Sequence, residues 1–246
     1  MNTLPSASAL SPLPTRERVI VALDVPNSAA AFRLVDQLGT VTQWFKVGLE
    51  LYLAEGNALV SQLKARGYSV FLDLKLHDIP NTVAGAVRSA ATLGADMLTL
   101  HATGGPAMLA AASEAASAVT SAPKLLAVSV LTSMDASQLQ AIGVDGPPTG
   151  QVLRLARLAS EAGISGLVAS SEEIIALRQQ FPALTLVIPG IRPAGSAVGD
   201  QKRIATPATA IAAGADYLVV GRPITQAADP AAAAAAILDE IEKAGA

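Results

Sequence analysis

The sequence predicts an α/β fold, a closed (β/α)8 TIM barrel forming a single domain over residues 16–246, and three observations predict it. Eight β-rich apolar runs alternate with eight helical patterns, as parallel βα units do. Glycines recur just past the helices, at Gly67, Gly94, Gly163 and Gly214, where a left-handed residue ends one element before the next strand. Eight units in 246 residues suit a closed barrel better than an open doubly wound sheet. No Gly-x-Gly-x-x-Gly turn follows the first strand, which weakens the dinucleotide-fold alternative.

Residues 1–15, rich in Ser, Pro and Ala without a period, read as a disordered leader. The first strand is expected near 18–24 and its helix near 27–38. A second strand near 43–48 feeds a helix near 50–66, closed by Gly67. The third strand, near 69–75, turns through Asp78 into a helix that starts near Pro80 and runs to 93. A fourth strand, near 96–101, leads to a helix near 105–120. The fifth, near 124–131, is followed by the longest step in the chain. Its segment Gly143-Val-Asp-Gly-Pro-Pro-Thr-Gly150 is the candidate for a mobile loop over the active face. A helix near 150–162 then precedes the sixth strand (166–170) and a helix near 172–180. The seventh strand (185–189) precedes a helix near 206–213, and the eighth (217–221) one near 229–244. Within that last helix the alanines from Ala231 to Ala236 favour helix and carry no further meaning.

Composition excludes several function classes. Hydrophobic residues make up 51% of the chain, much of it alanine, and aromatics only 3%. No apolar run is long enough to span a bilayer, and the N-terminus lacks the basic-then-apolar order of a signal peptide. With no cysteine there are no disulfides or thiolate metal sites, which fits a reducing, cytoplasmic setting. A net charge of −3 speaks against nucleic-acid binding through bulk basicity. Only His77 and His101 are present, so a multi-histidine metal centre is not expected.

The stretch Ser69-Val-Phe-Leu-Asp-Leu-Lys-Leu-His-Asp-Ile-Pro-Asn-Thr-Val83 breaks the core pattern. Asp73 and Lys75, two apart on a strand, project from one face, and burying such ions unsatisfied costs about several kcal/mol each. Asp78 follows in the turn, so two carboxylates bracket an ammonium. Chemistry in such barrels sits at the C-terminal strand ends. Those ends present Asp24, Lys46, Asp73 and Lys75, with Asp78 and Thr82 beyond, then Thr132-Ser133, Arg192 and Gly221-Arg222. Blander readings exist: Asp24 as a helix cap, Lys46 as a snorkelling side chain, His77 as structural, His101 as structural or facing the site. The end Val219-Val220-Gly221-Arg222-Pro223 sets a backbone donor beside a guanidinium, as a phosphate site after strands seven and eight requires. Arg192 and Gln201, from the loop after strand seven, add donors on that side. The expected substrate therefore carries a phosphate monoester.

Asp73-Leu-Lys-Leu-His-Asp-Ile-Pro-Asn-Thr82 resembles the signature of the orotidine 5′-phosphate decarboxylase family. Ala22-Leu-Asp24, Phe45-Lys-Val-Gly48, Val130-Leu-Thr-Ser-Met134, Pro189-Gly-Ile-Arg-Pro193, Gly199-Asp-Gln201 and Val220-Gly-Arg-Pro-Ile224 resemble further family segments, in order. The resemblance implies decarboxylation of orotidine 5′-monophosphate to uridine 5′-monophosphate, the last step of de novo pyrimidine synthesis, without cofactor or metal. It implies Lys75 as proton donor to C6, Asp73 beside the departing carboxylate, and Lys46 in the same charge array. Asp24 would bind the ribose hydroxyls, and Thr132 would lie near the base. Gln201, Gly221, Arg222 and Arg192 would hold the phosphate. It further implies a homodimer in which Asp78 and Thr82 serve the partner's site. Metal-dependent 3-keto-gulonate-6-phosphate decarboxylases and hexulose-phosphate synthases share the Asp73, Lys75 and Asp78 pattern, but place an acid where this chain has Lys46, which as ammonium cannot ligate a hard cation. A catalytically silent phosphate-binding barrel is the alternative from another class.

Overall fold

A parallel strand covered by helices buries both of its faces, so inward and outward side chains are apolar for different reasons. A computed structural model of the protein, describing residues 13–193 and 205–245, follows that rule in eight strands. These are β1 (Val19–Ala22), β2 (Trp44–Gly48), β3 (Ser69–Leu76), β4 (Met97–His101), β5 (Lys124–Val128), β6 (Gly166–Val168), β7 (Thr185–Ile188) and β8 (Tyr217–Val220). Each pairs in parallel with its sequence neighbour, and β8 returns to β1 to close the expected barrel. The described helices are α1 (Ser28–Leu38), α2 (Leu49–Ala65), α3 (Pro80–Thr92), α4 (Gly105–Ser117), α5 (Ala136–Ala141), α6 (Pro148–Glu161), α7 (Ile174–Gln180), α8 (Pro207–Ala212), α9 (Arg222–Thr225) and α10 (Pro230–Gly245). Among the described residues no helix is long and apolar enough to cross a membrane.

Outward residues such as Val19, Val21, Phe45, Val47, Val70, Leu72, Leu98 and Leu100 fill the layer between sheet and helices. Inward residues form a second cluster that plugs the barrel: Ile20, Ala22, Trp44, Phe71, Met97, Leu126, Val187, Tyr217 and Val219. Within it Trp44 and Tyr217 meet edge to face, with ring centroids 5.6 Å apart. Leu13 also packs against this plug, so the last residues assigned to the leader touch the barrel; residues 1–12 lie outside the described part. Two positions further along three adjacent strands, the interior changes from apolar to polar. Trp44 is followed by Lys46, Phe71 by Asp73 and Met97 by Thr99, all buried. The period of two that builds the plug also aims these polar groups at the C-terminal mouth.

The αβ turns are as expected: Gly67, Gly94, Gly163 and Gly214 all have positive φ, from 78° to 111°. Two of these turns share an anchor. Asp96 Oδ2 accepts the Val70 N–H at 2.7 Å and the Lys64 ammonium at 2.6 Å. Asp216 likewise accepts the Leu186 N–H at 2.7 Å and the Arg178 guanidinium. Each carboxylate fastens the start of the preceding strand to the helix before it.

Two helices were not expected from the sequence. Asp135 accepts the Gln138 N–H at 3.1 Å, and the Gln138 side chain accepts the Asp135 N–H at 3.1 Å. This capping box makes α5 ahead of the segment 143–150 expected to be a loop, and α6 begins at Pro148, inside that segment. The other unexpected helix is α9, a single turn directly after Gly221.

Candidate active site

The polar mouth is organised around Asp73, 9% exposed. Its Oδ2 lies 2.8 Å from Lys75 Nζ and 3.7 Å from Lys46 Nζ. Lys46 Nζ turns its short contact to Asp24 Oδ1, at 2.9 Å. The result is a chain of alternating charge, Asp24–Lys46–Asp73–Lys75, drawn from the turn just after β1 and from β2 and β3. Burial alone would raise the Asp73 carboxyl. The charges of Lys46 and Lys75, with hydrogen bonds from Lys75 and Thr99, outweigh burial and hold it below the ordinary carboxylate range. Asp24 does not cap α1; Asn27 does. Lys46 is 8% exposed and paired, which rules out a snorkelling role.

The strand spacing brings Asp73 and Lys75 together, but not through an unbroken ladder. Leu72 pairs with Leu98, yet the next pairing is Leu76 with Leu100, so β3 carries extra residues here. At this bulge Lys75 has φ 51°, unique among the described non-glycine residues. A left-handed lysine is strained, and the strain sits on the residue that projects its ammonium into the mouth.

Asp78 stands apart. It is exposed, its carboxylate accepts its neighbour's N–H from Ile79 at 2.6 Å, and it forms no ion pair with Lys75 within the subunit. The expected bracketing of Lys75 by two carboxylates is therefore only half present in one chain: the turn from β3 into α3 carries Asp78 past the strand end. Thr82, on the first turn of α3, is exposed as well.

Two adjoining cavities open at this mouth. The inner, of about 170 Å³, is lined by Lys46, Asp73 and Lys75, by Phe71 below them, and by Val128, Val130, Leu131, Thr132, Val168 and Ala169 from β5, β6 and the residues that follow them. The outer, of about 400 Å³, is lined by Asp24, Lys46, Gly190, Arg192, Gly221, Arg222 and Gln226. Both include Pro189 and Val219, so they are two compartments of one cleft. Arg192 is buried, and burial first, then the nearby Arg222 charge, depresses its guanidinium. Two like charges converging on one cavity favour an anion there.

Of the sequence-predicted residues, Asp24, Lys46, Asp73, Lys75, Thr132, Arg192, Gly221 and Arg222 line this cleft, whereas Asp78 and Thr82 do not. Gln201 lies outside the described residues. His101 ends β4 with its ring 5.6 Å from that of exposed His77. Burial, then His77 and Lys75, lowers its pKa.

Sequence reasoning missed Thr99, Gln226 and the apolar wall from β5 and β6. For Thr99 a signal existed: it shares the inward phase of Met97 on β4. For Gln226 there was none, because α9 was not foreseen.

Comparison with known proteins adds independent findings. The family model described as "Orotidine 5'-phosphate decarboxylase / HUMPS family" matches residues 17–237. The chain is 56% identical over 234 residues to the orotidine 5′-phosphate decarboxylase of Halorhodospira halophila, covering 95% of this chain and 99% of that one. It is 51% identical over 249 residues to the enzyme of the same name from Moorella thermoacetica, covering 98% and 99%. The crystal structure of orotidine 5′-phosphate decarboxylase from Lactobacillus acidophilus superposes with a TM-score of 0.82 at 39% identity, covering 92% and 99%. Matching in fold, in full length and at more than half of its residues, the chain belongs to the orotidine 5′-phosphate decarboxylase / HUMPS family.

Proposed function

We propose that this chain decarboxylates orotidine 5′-monophosphate to uridine 5′-monophosphate, the last step of de novo pyrimidine synthesis, without a cofactor. The observation that carries the reading is the buried Asp24–Lys46–Asp73–Lys75 array facing an apolar compartment, with two guanidiniums at the far end of the same cleft. The outer compartment takes the phosphate, on Arg192, Arg222 and the Gly221 backbone; Gln201, outside the described residues, is assigned to the phosphate by the family resemblance alone. Asp24 takes the ribose hydroxyls, and the base enters the inner compartment beside Thr132.

In the reaction the bond from C6 to the carboxylate breaks, CO₂ leaves, and the electron pair remains on C6 in the ring plane. Delocalisation into the π-system is poor there, so charge must be stabilised electrostatically. An ammonium about 3.5 Å away contributes roughly 5 kcal/mol at an effective dielectric near 20. Lys75 then passes a proton to C6. Because Asp73 already holds Lys75, little reorganisation accompanies the step. The single Coulomb interaction falls short of the roughly 8–23 kcal/mol that enzymatic acceleration spans. Phosphate binding energy and desolvation of the apolar compartment are assigned the remainder.

The metal-dependent alternative is disfavoured by Lys46, whose ammonium sits between Asp24 and Asp73 and repels a cation from the two carboxylates. The proposed assembly is a homodimer in which Asp78 and Thr82 complete the partner's site. Supporting this, Asp78 is exposed and makes no ion pair with its own Lys75, and exposed Leu49, Leu53 and Ile79 stand on the elements after β2 and β3, at the same end of the barrel. The test is loss of orotidine monophosphate absorbance. Turnover is expected to persist in EDTA and to fall at least about a thousand-fold in Lys75→Ala, with uridine monophosphate still bound. Near-normal turnover in that variant refutes Lys75 as donor; turnover abolished by EDTA refutes the metal-free reading.

A further inference from the structure

Thr99 is fully buried on β4, between Leu98 and Leu100, whose side chains face the helices. A buried hydroxyl needs hydrogen-bond partners, and both of its partners belong to the charge array. Its Oγ accepts the Lys75 backbone N–H at 2.8 Å and donates to Asp73 Oδ1 at 2.9 Å. The direction of the second bond follows from chemistry, because an ionised carboxylate can only accept.

The first bond repairs a defect. Across the bulge, four residue steps on β3, from Leu72 to Leu76, face two on β4, from Leu98 to Leu100. The Lys75 N–H is therefore served by a side chain of β4 rather than by its backbone. Lys75 also holds a left-handed φ of 51°, a state that persists only where its surroundings over-determine it. The other carboxylate oxygen, Oδ2, accepts the Lys75 ammonium at 2.8 Å. These bonds close a ring: Lys75 N–H to Thr99, Thr99 to Asp73, Asp73 to Lys75 Nζ. The lysine is thus tied at its backbone and at its tip to the same two groups.

We propose that Thr99 is a positioning residue for the reaction: its hydroxyl locks the strained Lys75 backbone and the Asp73 carboxylate together, fixing where the Lys75 ammonium points. This rests on the decarboxylase reading above, in which Lys75 is the proton donor. Beyond Thr99, the charged groups facing Asp73 are Lys46 from β2 and Lys75 from β3, with His101 from β4 also within electrostatic reach. Among the causes that lower the Asp73 pKa, the hydrogen bond from Thr99 is one.

The test uses the full-length protein with Thr99→Val, which keeps shape but not hydrogen bonds, and with Thr99→Ser and Thr99→Cys. Thr99→Val is expected to lower kcat by about ten-fold or more while the Kd for uridine monophosphate changes less than about three-fold. The acid limb of its kcat–pH profile shifts to higher pH, because Asp73 loses a bond that favours its charged form. Thr99→Ser returns kcat to within about three-fold of wild type, and Thr99→Cys, a weak hydrogen-bonder, falls between Ser and Val. Overturning results are a folded Thr99→Val with kcat within two-fold of wild type and an unmoved limb, or a Ser variant no better than Val. If the Val variant does not fold, the Ser–Cys pair decides, and equal kcat in the two overturns the proposal. Crystal structures of these variants give a readout independent of turnover. Lys75 should leave its left-handed φ or its contact with Asp73 in Thr99→Val (Thr99→Cys if Val does not fold), and retention of both overturns the proposal. A wild-type protein that does not consume orotidine monophosphate refutes the decarboxylase reading instead, and the crystallographic comparison still judges Thr99.

Discussion

Gly48 offers a way to disturb the charge array by one methyl group without touching a charged residue. It ends β2 two positions after Lys46, with φ −93° and ψ −179°, a backbone that any residue adopts. A β-carbon there would lie 2.8 Å from Lys46 Nζ and 3.5 Å from Asp24 Oδ1. A non-bonded contact of this kind settles near about 3.5 Å, so the ammonium must retreat by about 0.7 Å. The retreating atom is the tip of a flexible chain, so the barrel itself is undisturbed. The Asp24 side chain is 61% exposed, and weakening its pair with Lys46 costs at most about 1 kcal/mol. For a chain of this size that corresponds to a melting temperature lowered by about 2–4 °C. Catalysis responds more steeply, since misplacing a group by about 1 Å can cost about 100-fold. Gly48→Ala is therefore expected to reduce kcat by about ten-fold with its melting temperature lowered by no more than about 4 °C. The assay pairs initial rates of orotidine monophosphate loss with thermal unfolding of the same preparation. A kcat within two-fold of wild type would refute the view that the position of Lys46 matters to turnover.

Other expectations concern the anion site, the subunit boundary and acid stability. Arg222→Ala should weaken uridine monophosphate binding by about ten-fold or more, the value of a charge-assisted hydrogen bond; unchanged affinity by titration calorimetry shows the outer compartment is misassigned. Mixing Asp78→Ala with Lys75→Ala protein should restore part of the activity through hybrid dimers, and no rescue despite measured subunit exchange argues against a shared site. Burial raises the Asp73 pKa, but the charges of Lys46 and Lys75 together with the hydrogen bonds from Lys75 and Thr99 lower it more, so its native value lies below the ordinary carboxylate range. Its stabilising contribution is then complete above the unfolded pKa and lost as pH falls through the native one. Between about pH 5 and pH 3 the urea midpoint of wild type should therefore drop further than that of Asp73→Asn; parallel declines refute this.

Much of the site is legible in the sequence because a barrel strand reads in steps of two. Lys46 follows Trp44, Asp73 follows Phe71, and a charge in the inward phase can only point to the mouth. Thr99 obeys the same rule, so its inward phase was readable, but a threonine in a strand is ordinary until its partners are known. The α5 capping box was present as Asp135 and Gln138, yet a helix of six residues is too short for its period to stand out. Asp78 looked like a second bracket for Lys75 because sequence distance ignores the turn that carries it outward.

Local chemistry alone therefore determined the architecture and the identity of the charged groups: periodicity, helix-ending glycines and costly buried ions are short-range signals. Only the tertiary structure decided how those groups meet. The bulge between β3 and β4, the left-handed Lys75 and the hydroxyl ring through Thr99 arise from the register of strands that are distant in sequence. That register depends on how the whole barrel closes, which no local stretch of residues encodes.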